Sequence, residues 1–175
     1  MNKDPEINEL SIFLNELHEE SDRGIALLSA SIIEDWLSTI LKSFLIDNEA
    51  SKKMLDGFNA PIGTFSAKIN MAFSLGLIME NEYKEIEIIR KIRNEFGHSW
   101  HGISFKTQKI IDLTNNLPWL GPGDIEQTVK SRFKFCVTIL LTGLLWRNRL
   151  VSKEKITPKI WGNTTRKHFS KNEEE

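Results

Sequence analysis

Apolar residues recur at three- and four-residue spacing along most of this chain, and no stretch of comparable weight alternates with period two. A helix turns once in about 3.6 residues, so this spacing lines one helical face, whereas a half-buried strand needs strict alternation. The pattern predicts an all-α fold, a single-domain helical bundle of about five main helices and one or two short ones around one core. At 175 residues the chain has the length of one domain and buries roughly two-thirds of its unfolded surface. The domain is expected to span residues 1–160, with residues 161–175 forming a charged, poorly ordered tail.

Local signals mark where these helices start and stop. Asp4 followed by Pro5 reads as an N-cap and a proline in the first turn, opening a helix with Ile7, Leu10, Leu14 and Leu17 on one face. Ser21 caps a longer helix to about Ile46, whose stripe runs through Leu27, Ala30, Leu37, Leu41 and Phe44, widened by Ile33, Ile40 and Leu45. Asp47-Asn48 breaks it, and a short helix follows over about 51–58. Thr64 caps the next helix, which Gly76 closes in the left-handed region. Asn81 is the expected cap of a central helix ending near Phe96, with Gly97 as its stop. A short helix spans about 107–115, and Asp124 is the expected cap of a last long helix to about Leu150.

The central helix, and above all Ile86 to His98 (IEIIRKIRNEFGH), is the stretch around which the rest reads as organised. Arg90, Asn94 and His98 are spaced by four, so each lies about 40° further round and the three share a face. Arg93 is set off towards the apolar side. There it is a candidate partner for Glu34, whose carboxylate interrupts an apolar stripe and is costly there unless paired; the alternative is that Glu34 sits at the edge of the stripe and reaches water. A permanent guanidinium, an amide and an imidazole at the negative end of a helix dipole are the ingredients of metal-free RNA cleavage. In that chemistry the 2′-hydroxyl attacks, His98 moves the proton and arginine stabilises charge on phosphorus. The same groups also serve as a histidine cap and structural ion pairs.

Charge is unevenly placed. Residues 1–129 carry 12 Lys and Arg against 20 Asp and Glu, whereas residues 130–172 carry 11 against one. Nucleic-acid contact, if any, falls on the C-terminal cations Lys130, Arg132, Lys134, Arg147, Arg149 and Lys153, followed by Lys155 and Lys159. The competing expectation is a basic helix lying against acidic ones. Direct reading of DNA is not expected. Ala72-x-x-x-Gly76 before a second helix has the outline of a helix-turn-helix, but that second helix opens Asn81-Glu-Tyr-Lys-Glu-Ile-Glu87, which repels phosphate where recognition starts.

Several function classes drop out. The lone Cys136 excludes an intramolecular disulfide framework and cysteine-based zinc sites, and its apolar setting suits a buried thiol. His18, His98, His101 and His168 form no convincing metal set, so neither metal nor cofactor is expected. The segment PIGTF is too short to cradle phosphate, and no nucleophile elbow is present. The opening MNKDPEINEL has no apolar core of a secretory signal, and the apolar run Phe135–Trp146 is too short for a bilayer. Both point to the cytoplasm with no membrane contact.

Two resemblances add to this. Arg93-Asn94-Glu95-Phe96-Gly97-His98 resembles the Arg-x(4–6)-His motif of HEPN domains, helical bundles in which two copies commonly build a composite, metal-independent ribonuclease site. That resemblance implies a homodimer with Arg93 and His98 catalytic and Asn94 or Arg90 supporting. Over about residues 20–115 the chain also resembles the mannitol operon repressor family. The similarity lies in Asp22-Arg23, Ala60-Pro-Ile-Gly-Thr-Phe-Ser-Ala-Lys-Ile69, Ser74-Leu-Gly-Leu-Ile78, Glu82-Tyr83 and Ile92-Arg-Asn-Glu-Phe-Gly-His98. This second resemblance implies an all-helical regulator of transcription without an obvious DNA-binding domain, acting through a regulatory partner protein. The regulator is the first expectation; the ribonuclease, with RNA as substrate, is the alternative.

Overall fold

The structure, a computed structural model, describes residues 4–118, 121, 123 and 127–161. Among these residues seven α-helices follow one another: α1 (Pro5–Glu19), α2 (Asp22–Phe44), α3 (Glu49–Leu55), α4 (Phe65–Ser74), α5 (Glu80–His98), α6 (Gln108–Asn115) and α7 (Val129–Val151), the last running into a 3-10 turn at Ser152–Glu154. Five are substantial and two, α3 and α6, are short. Among the described residues there is no strand. The all-α expectation holds.

Packing gives the centre to α2 rather than to α5. Helix α2 packs against α1, α3, α4, α5 and α7, and its Ile25, Ala26, Ile33, Leu37, Ile40 and Leu41 are fully buried. They meet Ile69 of α4, Ile86, Ile89 and Ile92 of α5, and Val137 and Leu141 of α7 in one apolar cluster. Each Ile, Leu or Val among them contributes roughly 1.5–3 kcal/mol on leaving water. Helix α2 is also long and apolar enough to cross a membrane by length and composition alone, yet nearly half of the apolar stretch is buried inside the bundle. Helix α1 is loosely held, with only Leu10 and Leu17 buried and Ile7 and Ile12 exposed.

Most caps fall where local chemistry places them. The Asp4 carboxylate accepts from the Glu6 and Ile7 amides, Ser21 Oγ from Gly24 and Thr64 Oγ1 from Ala67. Gly76, at φ +70°, closes α4 in the left-handed region. The starts of α3 and α7 differ. Helix α3 starts earlier, on Asn48, whose side chain accepts from the Ser51 amide at 2.9 Å. Helix α7 starts later: Thr128 caps it through the Ser131 amide at 3.0 Å, and Asp124, the expected cap, lies outside the described residues. So do most of the expected tail and His168.

Candidate functional site

Helix α5 carries the groups the sequence singles out. It begins one residue before the expected Asn81 cap, because Glu82 in its first turn reaches back to accept the Met79 amide at 2.6 Å. Gly97 does not stop it. The helix continues through His98 and ends where Ser99 turns extended (φ −88°, ψ 114°). His98 is therefore the last helical residue, not the first beyond the helix.

The sequence-nominated polar set is only partly assembled. Arg90 grips Glu87 with two bonds, Nε to Oε1 at 3.0 Å and Nη2 to Oε2 at 2.9 Å, both within α5. Arg93 is exposed and donates to Asn94 Oδ1 at 3.1 Å. His98 is exposed, and among the described residues no hydrogen bond or ion pair engages it. With the helix intact to His98, Arg93 and His98 point about 140° apart around its axis. One copy of the chain does not converge them on a common atom.

Glu34 is paired, but not with an arginine of α5. Its partner is Lys68 of α4, at 2.9 Å, in a largely buried bridge. Because α4 lies against α2, the lysine reaches the carboxylate while Arg93 faces solvent.

The turn after α5 is pinned from α2. Arg23 donates to the Ser99 carbonyl, and the Asp22 carboxylate accepts the Phe105 amide at 3.0 Å while pairing with Lys130 at 2.9 Å. Burial pushes the Asp22 carboxyl up, but Lys130 and the Phe105 amide together outweigh it and hold the group below its ordinary range. Phe105 seats between Phe96 and Phe133, with ring centroids 5.4 and 5.1 Å away. Between these anchors Trp100 stands 84% exposed, stacked on His101 at 4.2 Å. Among the described residues no group of three or more His, Cys, Asp or Glu gathers as a metal site.

The C-terminal cations are largely spent inside the chain. Lys130 holds Asp22. Arg132 donates to the Asn115 and Leu117 carbonyls and to Gln127. Lys134 meets His18 Nδ1 at 2.7 Å, Arg147 pairs with Glu82, and Arg149 spans Asp4 and Glu6 at 2.7 and 2.6 Å. Lys153, Lys155 and Lys159 are exposed. The lopsided charge thus resolves chiefly into a basic helix lying against acidic partners in the same protomer.

Sequence reasoning missed two buried carboxylates on α5. Glu82 and Glu85 are 5% and 9% exposed. Glu85 lies beside the Cys136 thiol, Sγ to Oε2 at 3.5 Å, and burial pushes its carboxyl above the usual range. The thiol is pushed up in turn, first by its own burial and then by the Glu85 charge. A signal was present: positions 82, 85, 86 and 89 share one helical face, and Ile86 and Ile89 mark that face as the buried one. Elsewhere, a cavity of about 340 Å³ opens between α1, α2 and α7, with Phe13, Ile32, Trp36 and Leu144 beside Glu9 and Asp35 in its walls.

Comparison with known proteins gives a consistent picture. The sequence pattern of the family described as "MtlR: Mannitol repressor" matches residues 11–143. The mannitol operon repressors of Escherichia coli strains K12 and O6:H1 (CFT073) are each 29% identical over 76 residues, which is 41% of this chain and 38% of theirs. The matched stretch therefore covers well under half the length of those relatives. A chain in the X-ray structure of the MtlR-HPr complex from Escherichia coli shares the fold, with a TM-score of 0.54 at 20% identity over 84% of this chain and 98% of that one.

Proposed function

The chain belongs to the mannitol repressor (MtlR) family, and from that premise we propose that it regulates transcription as a helical module that docks on a protein partner and does not itself read an operator. The observation that supports this best is the placement of α5. A helix-turn-helix over α4 and α5 would have to free α5 for a DNA groove. Instead Ile86, Ile89, Ile92 and Phe96 are fully buried, and α5 packs against α2, α4 and α6. The carboxylates of its first turns are held within the chain, Glu82 by Arg147 and Glu87 by Arg90, and that end presents no free cation to phosphate. Five of the eight cations nominated for nucleic acid are already engaged within the chain.

The structurally similar Escherichia coli protein was crystallised with HPr, and HPr is the partner we assign to this chain. The assignment places the protein in the cytoplasm, where a bacterial operon is repressed. Titration calorimetry of the purified chain against its own organism's HPr, beside anisotropy on duplex DNA from the mannitol operon control region, tests the reading. A complex with HPr and no sequence preference among duplexes is expected. Sequence-specific DNA binding by the chain alone overturns it.

A ribonuclease is the second reading, favoured by the exposure of Arg93 and His98 at one helix end. Cleavage of single-stranded RNA that persists in EDTA and disappears in His98→Ala would establish it in place of the first.

A further inference from the structure

Helix α7 buries its apolar residues on the side facing α2, yet a second apolar stripe runs along its solvent side. Ile139, Trp146 and Leu150 are 43%, 48% and 57% exposed, and Phe135, half-buried, extends the line. With Thr142 these residues fall in a band about 80° wide at 100° per residue. Gly143 lies at its edge, where the nearest side-chain atom to an added Cβ would be Glu82 Oε1 at 3.6 Å.

Three properties point to what covers the stripe. First, it is palindromic. A two-fold axis between Thr142 and Gly143 sets Ile139 against the partner's Trp146 and places Phe135 opposite the partner's Leu150. An isologous contact, in which each residue meets its counterpart's neighbour and is met in return, requires this kind of self-complementarity. Second, the smallest side chains on the face lie at its centre, where two helices crossing antiparallel approach most closely. Third, the flanking charges are neutralised within the protomer. Arg147 on one side pairs with Glu82; Arg149 on the other pairs with Asp4 and Glu6 and lies over the Trp146 ring at 4.9 Å. Between Phe135 and Leu150, two identical copies can therefore approach without stranding like charges.

We propose that this face of α7 is a homodimer interface, with two copies of the chain packed antiparallel about an axis between Thr142 and Gly143. A contact of one helix per protomer falls near the low end of specific interfaces, about 1,200 Å² in total, so the dimer forms and dissociates with concentration. It also fixes the distance between the two α5 ends. Lys130, in the first turn of α7, holds the Asp22 carboxylate that also takes the Phe105 amide, so the turn after His98 lies beside the start of α7. Antiparallel pairing sends the two copies of that turn to opposite ends of the dimer, roughly 40 Å apart at 1.5 Å per residue. This dimer builds no composite Arg93–His98 site, and it stands independently of the HPr assignment.

The test is sedimentation equilibrium of the full chain across micromolar to several hundred micromolar concentrations, beside Ile139→Asp and a Thr142→Cys variant under mild oxidation. Wild type should pass from monomer to dimer. Ile139→Asp should raise the dissociation constant at least tenfold with its helical circular dichroism unchanged. Thr142→Cys, near the axis, should cross-link, whereas Glu16→Cys on α1 should not. A wild-type monomer throughout, or a dimer indifferent to Ile139→Asp and not trapped by Thr142→Cys, overturns the proposal. If Ile139→Asp loses its helical signal, the cross-link alone decides. Loss of HPr binding in a folded Ile139→Asp variant of a monomeric wild type would give the face to HPr instead.

Discussion

Arg147 closes on Glu82 with both terminal nitrogens, Nη1 to Oε2 at 3.0 Å and Nη2 to Oε1 at 2.9 Å, and the same Nη1 donates to the Leu77 carbonyl at 2.7 Å. One carboxylate thereby does two jobs, since Glu82 Oε2 also accepts the Met79 amide that opens α5. The pair ties the start of α5 and the end of the α4–α5 turn to the last third of α7, and its side chains are 6% and 20% exposed.

A buried pair of this kind is costly to break from one side, because the survivor keeps its charge without a partner. Arg147→Met is expected to lose about 3–5 kcal/mol of stability. The double variant Glu82→Leu/Arg147→Met should lose less than Arg147→Met alone. Urea unfolding of the wild type, both single variants and the double variant measures the cycle; strict additivity would show that the two residues are not coupled.

Glu85 predicts an unusual pH dependence. Its folded carboxyl lies above its unfolded value near 4.5, because burial disfavours the charge. In the window above 4.5 the folded state binds more protons than the unfolded one, so stability falls as pH rises through the raised value. Glu85→Gln keeps a polar group beside Cys136 without the charge. It should flatten that decline and leave the protein at least as stable as wild type at neutral pH, as read by thermal melts from pH 4.5 to 8.

The same contact makes Cys136 a poor nucleophile. Its thiol is 1% exposed and pushed up by burial and by the Glu85 charge, so the reactive thiolate is scarce. Ellman's reagent should label it only as fast as the bundle opens. Labelling within seconds under native conditions would contradict the burial of Cys136 beside Glu85.

Legibility in the sequence followed the range of each interaction. Asp4, Ser21, Thr64 and Gly76 act on amides and carbonyls within a few residues of themselves, and the helix ends they predict are the ones observed. Gly97 was misleading for a local reason: a glycine permits a left-handed stop but does not impose one, and the Ser99 carbonyl is taken instead by Arg23 from 76 residues away. Glu34 announced that it needed a cation, but only the packing of α4 on α2 decides that Lys68 supplies it. Lys130, Arg147 and Arg149 looked available because their partners, Asp4, Glu6, Asp22 and Glu82, all lie at least 65 residues off in the chain.

The Asp22-Arg23 pair gives the sharpest test of how the α5 tip is held. Both residues sit in the first turn of α2, and both reach across to the segment that follows His98, Arg23 to the Ser99 carbonyl and Asp22 to the Phe105 amide. Phe105 is separately held by Phe96 and Phe133, so losing one polar anchor should loosen the turn without unfolding the bundle. Asp22→Ala removes the acceptor for Phe105 and leaves Lys130 unpaired. Hydrogen exchange at the Phe105 amide should then quicken at least tenfold, while amides in the middle of α2 keep their protection. The effect should have an acid counterpart in the wild type. Asp22 is held below its ordinary value, so its contribution is present above pH 3.8 and fades as pH falls through the lowered folded value. Exchange at Phe105 that stays unchanged in Asp22→Ala would mean that the aromatic contacts alone fix the turn, and that Asp22 serves chiefly to hold Lys130.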